Sequence, residues 1–401
     1  MRVLLTTIFA YPPKGGVGVY IDELRKGLEQ AGHQVDILAR NDEKYYLTSS
    51  EGQARVKKRR GSLSGGNIFK MPSFFMDKGI GKHVSFLEKE AAEYIGIVQS
   101  LDLKRYDVIH AQDIVSSSVM SFYKPSHVPL ILTAHGCVTA EYYYFGRITP
   151  NSLGWLMVSS FESLAISQTD RTIVPSEWLK GVYQRCGIPV GKMTVIHNGI
   201  DIKSFKHRMK ASTGLLKPAD KRVIISTGRL EKVKGQHVLL DALAKLNKER
   251  KDWELWVAGT GEAEKVLKDQ VQRLGLKNEV KFLDRRSDVP ALLKQADIFV
   301  IPSLEENYPF SLAEAQVAGK AIIASEVGGI KEMIDPGKNG LLVPAGDSNK
   351  LYRQLKKLMA DPKLQRDLAI GAHAWSVQHL SLTHMMQQVI GIYKGAAGKR
   401  N

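Results

Sequence analysis

Ser303-Leu-Glu-Glu-Asn-Tyr-Pro-Phe-Ser-Leu-Ala-Glu-Ala-Gln-Val-Ala-Gly319 follows the run Ile298-Phe-Val-Ile301. That run is apolar and rich in β-branched side chains, and it reads as a buried strand. Ser311 to Ala318 reads as a helix that stops near Gly319. Glu306 then lies in a strand-to-helix loop, and Glu314 about a turn into the helix. The carboxyl end of a strand feeding a helix N-terminus is where open α/β sheets bind ligands, and its free N–H groups favour phosphate. Two carboxylates at that place suit neutral hydroxyls, such as those of a sugar and a ribose. As an isolated pair they read better as a solvated loop residue and a surface helix residue. The surrounding chain changes that weighting.

On either side the same alternation repeats. In the second half, Arg222 to Ser226, Trp253 to Ala258, Val280 to Leu283, Ala321 to Ala324 and Gly340 to Val343 read as further strands. Helices Val238 to Lys248, Glu262 to Leu274 and Asp288 to Gln295 separate the first four strands of this half. The first half shows strands at Arg2 to Thr7, Val35 to Leu38, Val108 to Ala111, Pro129 to Thr133, Arg171 to Val174 and Lys192 to Ile196. Its helices are Val19 to Gln30, His83 to Ser100, Leu153 to Ser167 and one opening at Glu177 behind Ser176 as cap. His197-Asn-Gly-Ile-Asp201 is a turn signal at mid-chain. The two series, joined at 197 to 210, predict an α/β protein of two facing, Rossmann-like, doubly wound domains with an interdomain cleft. The expected division is 1–200, 201–375, and a C-terminal helix over 376–401.

The chain has 401 residues, enough for two or three full cores. With 43% hydrophobic and 24% charged residues it fits a globular protein. No apolar run approaches the ~20 residues that span a bilayer. Met1-Arg-Val-Leu-Leu-Thr-Thr7 reads as a first strand rather than a signal peptide. Cys137 and Cys186 are the two cysteines, too few for a disulfide framework or a metal cluster. The cytoplasm is the expected compartment. A net charge of +16 favours anionic partners. The densest basic run, Arg55-Val-Lys-Lys-Arg-Arg60, reads as a mobile loop, with Phe74-Phe75-Met76 shortly after. It is either a solvated loop or a contact for the inner face of an anionic membrane. Nucleic acid is disfavoured, because no helix-turn-helix, zinc or RNA-binding signature occurs.

Tyr11-Pro-Pro-Lys-Gly-Gly-Val-Gly18 is a glycine-rich turn after the first strand. Its spacing is not Gly-x-Gly-x-x-Gly, and the second strand ends in Ala39-Arg40 rather than an acid, so a dinucleotide site is disfavoured. Gly15, Gly16 and Gly18 either admit a ligand close to the backbone or make a tight turn. His110 and His135 each follow a strand; Tyr142-Tyr-Tyr144 and Arg147 come soon after the second. Taken singly, each histidine reads as structural. Arg229 and Lys234 share the loop after a strand and together suit a diphosphate. A solvated basic loop is the alternative. Gly259 and Gly261 follow the next strand, where a base or ribose could lie. No Asp-x-Asp and no Cys/His cluster occurs, so no metal and no cofactor is expected.

Gly15-Gly16, His135, His197-Asn-Gly-Ile-Asp201, Gly228-Arg-Leu with Lys234-Gly235, Gly259-x-Gly261, Glu306 with seven residues before Glu314, Gly319, Gly328-Gly329 and Gly340-Leu-Leu occur in this order. In that order and spacing they resemble the family 4 retaining glycosyltransferases of the GT-B fold, along nearly the whole chain. The resemblance implies transfer of a sugar from a nucleotide-diphosphate sugar, UDP-linked, to a hydroxyl acceptor in polysaccharide, glycolipid or surface-glycan synthesis. By that likeness Arg229 and Lys234 grip the diphosphate, Glu314 the ribose and Glu306 the sugar. His135 lies against the sugar, and Gly16 closes over phosphate or acceptor. Gly259, Gly261, Asn307, Tyr308, Phe310 and Ser311 complete the donor-binding set. His135, Arg229, Lys234 and Glu306 are the catalytic candidates. The last helix, from Trp375 onward, crosses back to the first domain. The chain departs from the family at Glu306-Asn-Tyr-Pro-Phe310, where many members have Glu-Gly-Phe-Gly, and at Leu283-Asp-Arg-Arg286. The competing readings are a sugar-nucleotide epimerase of similar fold and a non-catalytic sugar-nucleotide or glycan-binding component.

Overall fold

The computed structural model describes residues 1–12, 15–42, 44–57 and 80–398. They form two compact units, Met1–His197 with Thr383–Asn401, and Asn198–Leu382. The first unit runs β1 (Arg2–Ala10), α1 (Gly16–Gln30), β2 (Gln34–Asn41), β3 (Lys44–Ser49), β4 (Gly52–Arg55), α2 (Ile80–Val98), β5 (Val108–Ala111) and α3 (Ile114–Tyr123). It continues with β6 (Leu130–Thr133), α4 (Val138–Tyr144), α5 (Leu153–Ser167), β7 (Arg171–Val174), α6 (Glu177–Arg185) and β8 (Met193–Val195). Its sheet has the order β4-β3-β2-β1-β5-β6-β7-β8. From β2 to β8 the pairing is parallel. The β2-β3-β4 edge is antiparallel.

The second unit runs α7 (Ile202–Arg208), β9 (Arg222–Thr227), α8 (Gln236–Leu246), β10 (Trp253–Ala258), α9 (Glu264–Arg273), β11 (Val280–Phe282), α10 (Val289–Gln295) and β12 (Ile298–Ile301). Then come α11 (Phe310–Val317), β13 (Ala321–Ser325), α12 (Ile330–Met333), β14 (Leu341–Val343), α13 (Ser348–Ala360) and α14 (Pro362–His379). Trp375, on α14, packs against this unit's core. The chain rejoins the first unit through α15 (Leu382–Ala397). The second sheet is parallel throughout, in the order β11-β10-β9-β12-β13-β14.

A parallel sheet covered on both faces needs strands that are apolar on both faces, which is why its strands read as uninterrupted apolar runs. All four residues of β12 are buried. They divide with period two, Ile298 and Val300 into one core and Phe299 and Ile301 into the other. β9 and β13 divide the same way, with Ile224 and Ile323 on one face and Ile225 and Ile322 on the other. Two helical layers are thereby fastened to one sheet.

Several local expectations change. Gly16 and Gly18 belong to α1 rather than to the loop before it, and Gly15 is the N-cap in extended conformation. The buried stripe of α1 reaches back through Tyr20 to Gly18, and that packing outweighs the cost of about 1 kcal/mol for a helical glycine. Residues 44–55 form a hairpin that the apolar pattern does not reveal, because Tyr45 is its one buried side chain. Arg55 therefore sits on a strand, opposite Tyr46, and not in a loop. Lys58, Arg59 and Arg60, like Phe74 to Met76, lie outside the described residues. The stretch after His197 holds α7, capped by Asp201, whose carboxylate accepts from the Ser204 N–H at 2.9 Å. Ser176 caps α6 as expected, accepting from the Leu179 N–H.

The alternation in β12 gives a direct test. Phe299 is fully buried, so Phe299→Ala is expected to destabilise the second unit by about 3–5 kcal/mol. Denaturant unfolding followed by the fluorescence of Trp253 and Trp256 in the same unit measures it. A loss below about 1 kcal/mol would contradict this packing.

Candidate functional site

β9 and β12 are neighbours in the second sheet but not in sequence. The chain leaves β9 towards β10 on one side and β12 towards β13 on the other. Their carboxyl ends therefore part around a crevice, the position at which doubly wound sheets take ligands. Residues 228–235 follow β9, and residues 302–309 follow β12.

The two loops meet at Glu306. Lys234 Nζ donates to Glu306 Oε1 at 2.8 Å, and Ser303 Oγ donates to the same oxygen at 2.9 Å. The Leu304 N–H donates to the Val233 carbonyl at 2.7 Å, joining one loop to the other through the backbone. Gly235 is left-handed (φ 68°), and a Cβ there would lie 2.0 Å from the Pro302 carbonyl oxygen. The loop after β13 closes the third side. The Gly329 N–H donates to the Glu306 carbonyl at 3.1 Å, and a Cβ on Gly328 would stand 1.8 Å from that oxygen.

Arg229 takes a different partner from Lys234. Its guanidinium pairs with Glu231 at 2.7 Å and remains 61% exposed. Gln236 Nε2 donates to the Arg229 carbonyl at 3.0 Å, fixing the backbone rather than the side chain. At Gly259 the space of the missing side chain is taken by the Gly228 carbonyl, and at Gly261 by the Leu230 carbonyl. These two glycines let the loops after β9 and β10 touch.

Glu305 is a residue in this region that sequence reasoning missed, although the Glu-Glu doublet was a visible signal. Burial pushes its carboxyl up to about 7; the neighbouring Glu306 charge acts in the same direction and Lys234 opposes it. Beyond Glu306 and the half-buried Asn307, Tyr308 is buried, and its carbonyl accepts from Asn198 Nδ2 at 3.1 Å. Asn198, from the mid-chain turn, thus holds the backbone just ahead of α11. Pro309 caps α11 and supplies no side-chain acceptor to its first N–H groups, the end of a helix that suits an anion. Glu314 is half-buried one turn further on.

In the first unit, Gly16 opens α1 behind the exposed Gly15, with open space where either side chain would be. His135 follows β6. Its ring meets Tyr20 of α1 edge-on at 4.8 Å, and its Nε2 lies 3.2 Å from Gln112 Oε1. Burial pushes the imidazole down to about 3, so it is neutral at physiological pH. Behind it His110 is fully buried and likewise lowered to about 3, by burial first and the nearby His135 second. Its nitrogens lie 2.6 Å from the Tyr393 hydroxyl on α15 and 2.7 Å from Thr133 Oγ1. Thr133 Oγ1 is in turn 3.3 Å from the Tyr20 hydroxyl. Sequence reasoning found both histidines but not Tyr20, Gln112 or Tyr393, whose roles exist only once α1, β5 and α15 are packed. After His135, the α4 N-terminus is held by buried Glu162 of α5, which accepts from the Val138 and Thr139 N–H groups at 2.7 and 2.8 Å.

Two family models match the chain in series. Glycosyltransferase Family 4 matches residues 14–204, and Glycosyl transferases group 1 matches residues 208–375. An uncharacterized glycosyltransferase of Methanocaldococcus jannaschii is 26% identical, covering 98% of this chain and 98% of its own. Glycogen synthase of Mycobacterium tuberculosis is 26% identical over 90% of this chain and 87% of its own. Among solved structures, the Anabaena protein HepE in complex with UDP has a TM-score of 0.70 at 21% identity, covering 98% of this chain and 100% of that one. Its architecture is that of the two doubly wound units found here. With one family model falling on each unit and relatives aligned almost end to end, the chain is a glycosyltransferase of the family 4 type, on the GT-B fold.

Proposed function

We propose that the protein is a retaining glycosyltransferase that moves a sugar from a UDP-sugar to a hydroxyl acceptor in polysaccharide, glycolipid or surface-glycan synthesis. The observation that carries this reading is the Lys234–Glu306 pair at the crevice between β9 and β12. It sets a fixed cation and a fixed carboxylate side by side, as a diphosphate joined to a sugar requires. UDP as the leaving group is supported by HepE, which is also solved with UDP-glucose. Its likeness to this chain is one of fold.

In the proposed reaction the diphosphate gains charge as the glycosidic bond breaks, and the sugar carbon becomes oxocarbenium-like. Lys234, Arg229 and the α11 N-terminus stabilise the leaving charge. The activity needs no divalent cation, because these groups supply the positive charge. Glu306 accepts from sugar hydroxyls and Glu314 from the ribose. His135, being neutral, offers the sugar a hydrogen bond without placing a positive charge against an electron-poor carbon. The run Arg55 to Arg60 supplies electrostatic attraction for an anionic acceptor or membrane face.

Removing a charged donor from such a site costs about 2–4 kcal/mol of transition-state stabilisation. Arg229→Ala should therefore turn over UDP-sugar about 30-fold more slowly or worse, with the fold intact. Near-normal turnover in the folded variant would sink the assignment.

The two glutamates should separate by calorimetry. Losing a hydrogen bond to a charged group costs about 1.5–3 kcal/mol. Glu314→Gln should weaken UDP and UDP-sugar alike. Glu306→Gln should leave UDP affinity unchanged or tighten it, since Lys234 loses a competing acceptor, while turnover of the intact donor falls. Equal weakening of UDP by both changes would contradict the split.

Glu305 adds a pH dependence. Its raised pKa means that the folded chain keeps a proton the unfolded chain has lost, between the ordinary carboxylate range and about 7. Stability therefore declines as pH rises across that window and levels off above it. Once ionised, Glu305 adds a negative charge beside the diphosphate site. UDP affinity should fall about threefold or more between pH 6 and pH 8, beyond the change seen in Glu305→Gln. Identical profiles for the wild type and the variant would remove Glu305 from the site.

A further inference from the structure

We propose that Cys137 and Cys186 form a redox site, at which a hydroperoxide closes the two thiols into a disulfide and so displaces the loop that carries His135. They are the two cysteines of the chain. They stand 49 residues apart in sequence, and the fold brings their sulfurs to 3.8 Å. Both are free thiols. A disulfide bond is about 2 Å long, so the sulfurs have only a short way to close. Cys137 is the N-cap of α4 and Cys186 the C-cap of α6. Helix ends fray, and give way more readily than a mid-helix turn.

A buried cysteine often serves only as a small apolar side chain. These two have polar company. The Cys137 thiol donates towards Glu162 Oε2 at 3.6 Å and towards Cys186 Sγ at 3.8 Å. That second donation holds the Cys186 thiol below its ordinary value against burial, and Arg185 acts in the same direction. The Cys137 thiol is pushed up, first by the same bond and then by burial. Cys186 is thus the member that ionises and reacts first. It is buried, but Gln184, Arg185 and Gly187 beside it are exposed, so it lies just beneath the surface. A small oxidant suits such an approach.

The Cys186 thiolate attacks the O–O bond of the hydroperoxide. An S–O bond forms, the O–O bond breaks, and the departing oxygen takes the proton that Cys186 gave up. This leaves a sulfenic acid on Cys186. Cys137 then passes its proton to Glu162, whose carboxyl burial has raised. The Cys137 sulfur attacks Cys186 Sγ, the S–S bond forms and the S–O bond breaks. The hydroxide released takes the proton back from Glu162. Two thiols lose two protons and two electrons, and hydrogen peroxide becomes two waters. A dithiol reverses the change by exchange.

The loop between β6 and α4 feels the bond. His135 stands two residues before Cys137, and the Tyr183 hydroxyl of α6 donates to the Gly136 carbonyl between them at 2.5 Å. α6 holds the loop at Gly136, and the disulfide pulls it at Cys137. Displacement of a positioned group by about 1 Å can cost on the order of 100-fold in rate. The effect on turnover rests on the role proposed for His135; the disulfide does not.

The full-length protein is reduced with dithiothreitol, freed of it, and treated with hydrogen peroxide. Wild type is expected to lose the mass of two hydrogens, to yield a peptide pair linked through Cys137 and Cys186, and to recover on reduction. In Cys137→Ser, Cys186 should stop at sulfenic acid and be trapped by dimedone; in Cys186→Ser, Cys137 should remain unreacted. Turnover of UDP-sugar should fall about tenfold or more in oxidised wild type, return with dithiothreitol, and stay unchanged in peroxide-treated Cys186→Ser. Hydrogen exchange over residues 134–144 should shift on oxidation in wild type alone, and reads the loop without a transfer assay. It therefore decides the matter even if the UDP reading fails. The wild-type measurements hold even if a variant misfolds. Absence of the linked pair in folded wild type would overturn the proposal. So would a linked pair that leaves exchange over 134–144 unchanged.

Discussion

Gly235 has no side chain, and the approach of Lys234 to Glu306 depends on that. A Cβ at Gly235 would overlap the Pro302 carbonyl oxygen at 2.0 Å, in a left-handed conformation that side-chain-bearing residues rarely adopt. The loops after β9 and β12 would separate, and the Leu304-to-Val233 backbone bond would go with them. The same constraint recurs at Gly328 against Glu306 and at Gly259 against Gly228. The framework of the crevice is thus made by backbone touching backbone. The Lys234–Glu306 pair adds a side-chain link to that framework.

Charge is handled differently at the crevice and around His135. At the crevice of the second unit, Lys234 and Glu306 form an ion pair at 2.8 Å. In the first, burial outweighs pairing. His110 and His135 are pushed towards neutrality, and the Asp113 and Glu162 carboxyls are pushed up by burial despite accepting backbone N–H groups. Tyr393, His110, Thr133 and Tyr20 then form a row of neutral hydrogen-bonding groups behind His135. Such a row fixes an orientation without creating a local field. In the proposed transfer, the field that stabilises the leaving diphosphate comes instead from Lys234, Arg229 and the α11 N-terminus.

How legible each part was in the sequence follows from the same physics. β9, β12 and β13 were legible because strands buried on both faces are built mainly of apolar residues. The β3–β4 hairpin was not, since an exposed edge with one buried tyrosine carries no apolar run. The start of α1 was misplaced by a turn because glycines signal loops, whereas here burial of Gly18 favours helix. Glu306 and Lys234 were both named from the sequence, as holders of different parts of a ligand. That they bond to each other depends on β9 and β12 being neighbours across a break in sequence order, which no local pattern encodes. Glu231 and Asn198 were missed as partners for the same reason that Gln112 was: their roles are contacts, not composition.

The two cations of the crevice are not equivalent. The Lys234 pair is largely enclosed, and breaking it would leave a partly buried Glu306 with one fewer donor. The Arg229 pair with Glu231 is mostly in water, where such a pair contributes about 0–1 kcal/mol and exchanges easily. Lys234 is therefore a fixed charge whose position the backbone sets. Arg229 is an exposed one, its carbonyl held by Gln236 and its guanidinium paired with Glu231 in water. In the proposed transfer this divides the electrostatic work. A fixed ammonium suits a diphosphate that is already charged before the bond breaks. A guanidinium free to leave Glu231 suits the additional charge that appears as it breaks, because it can follow that charge at little cost.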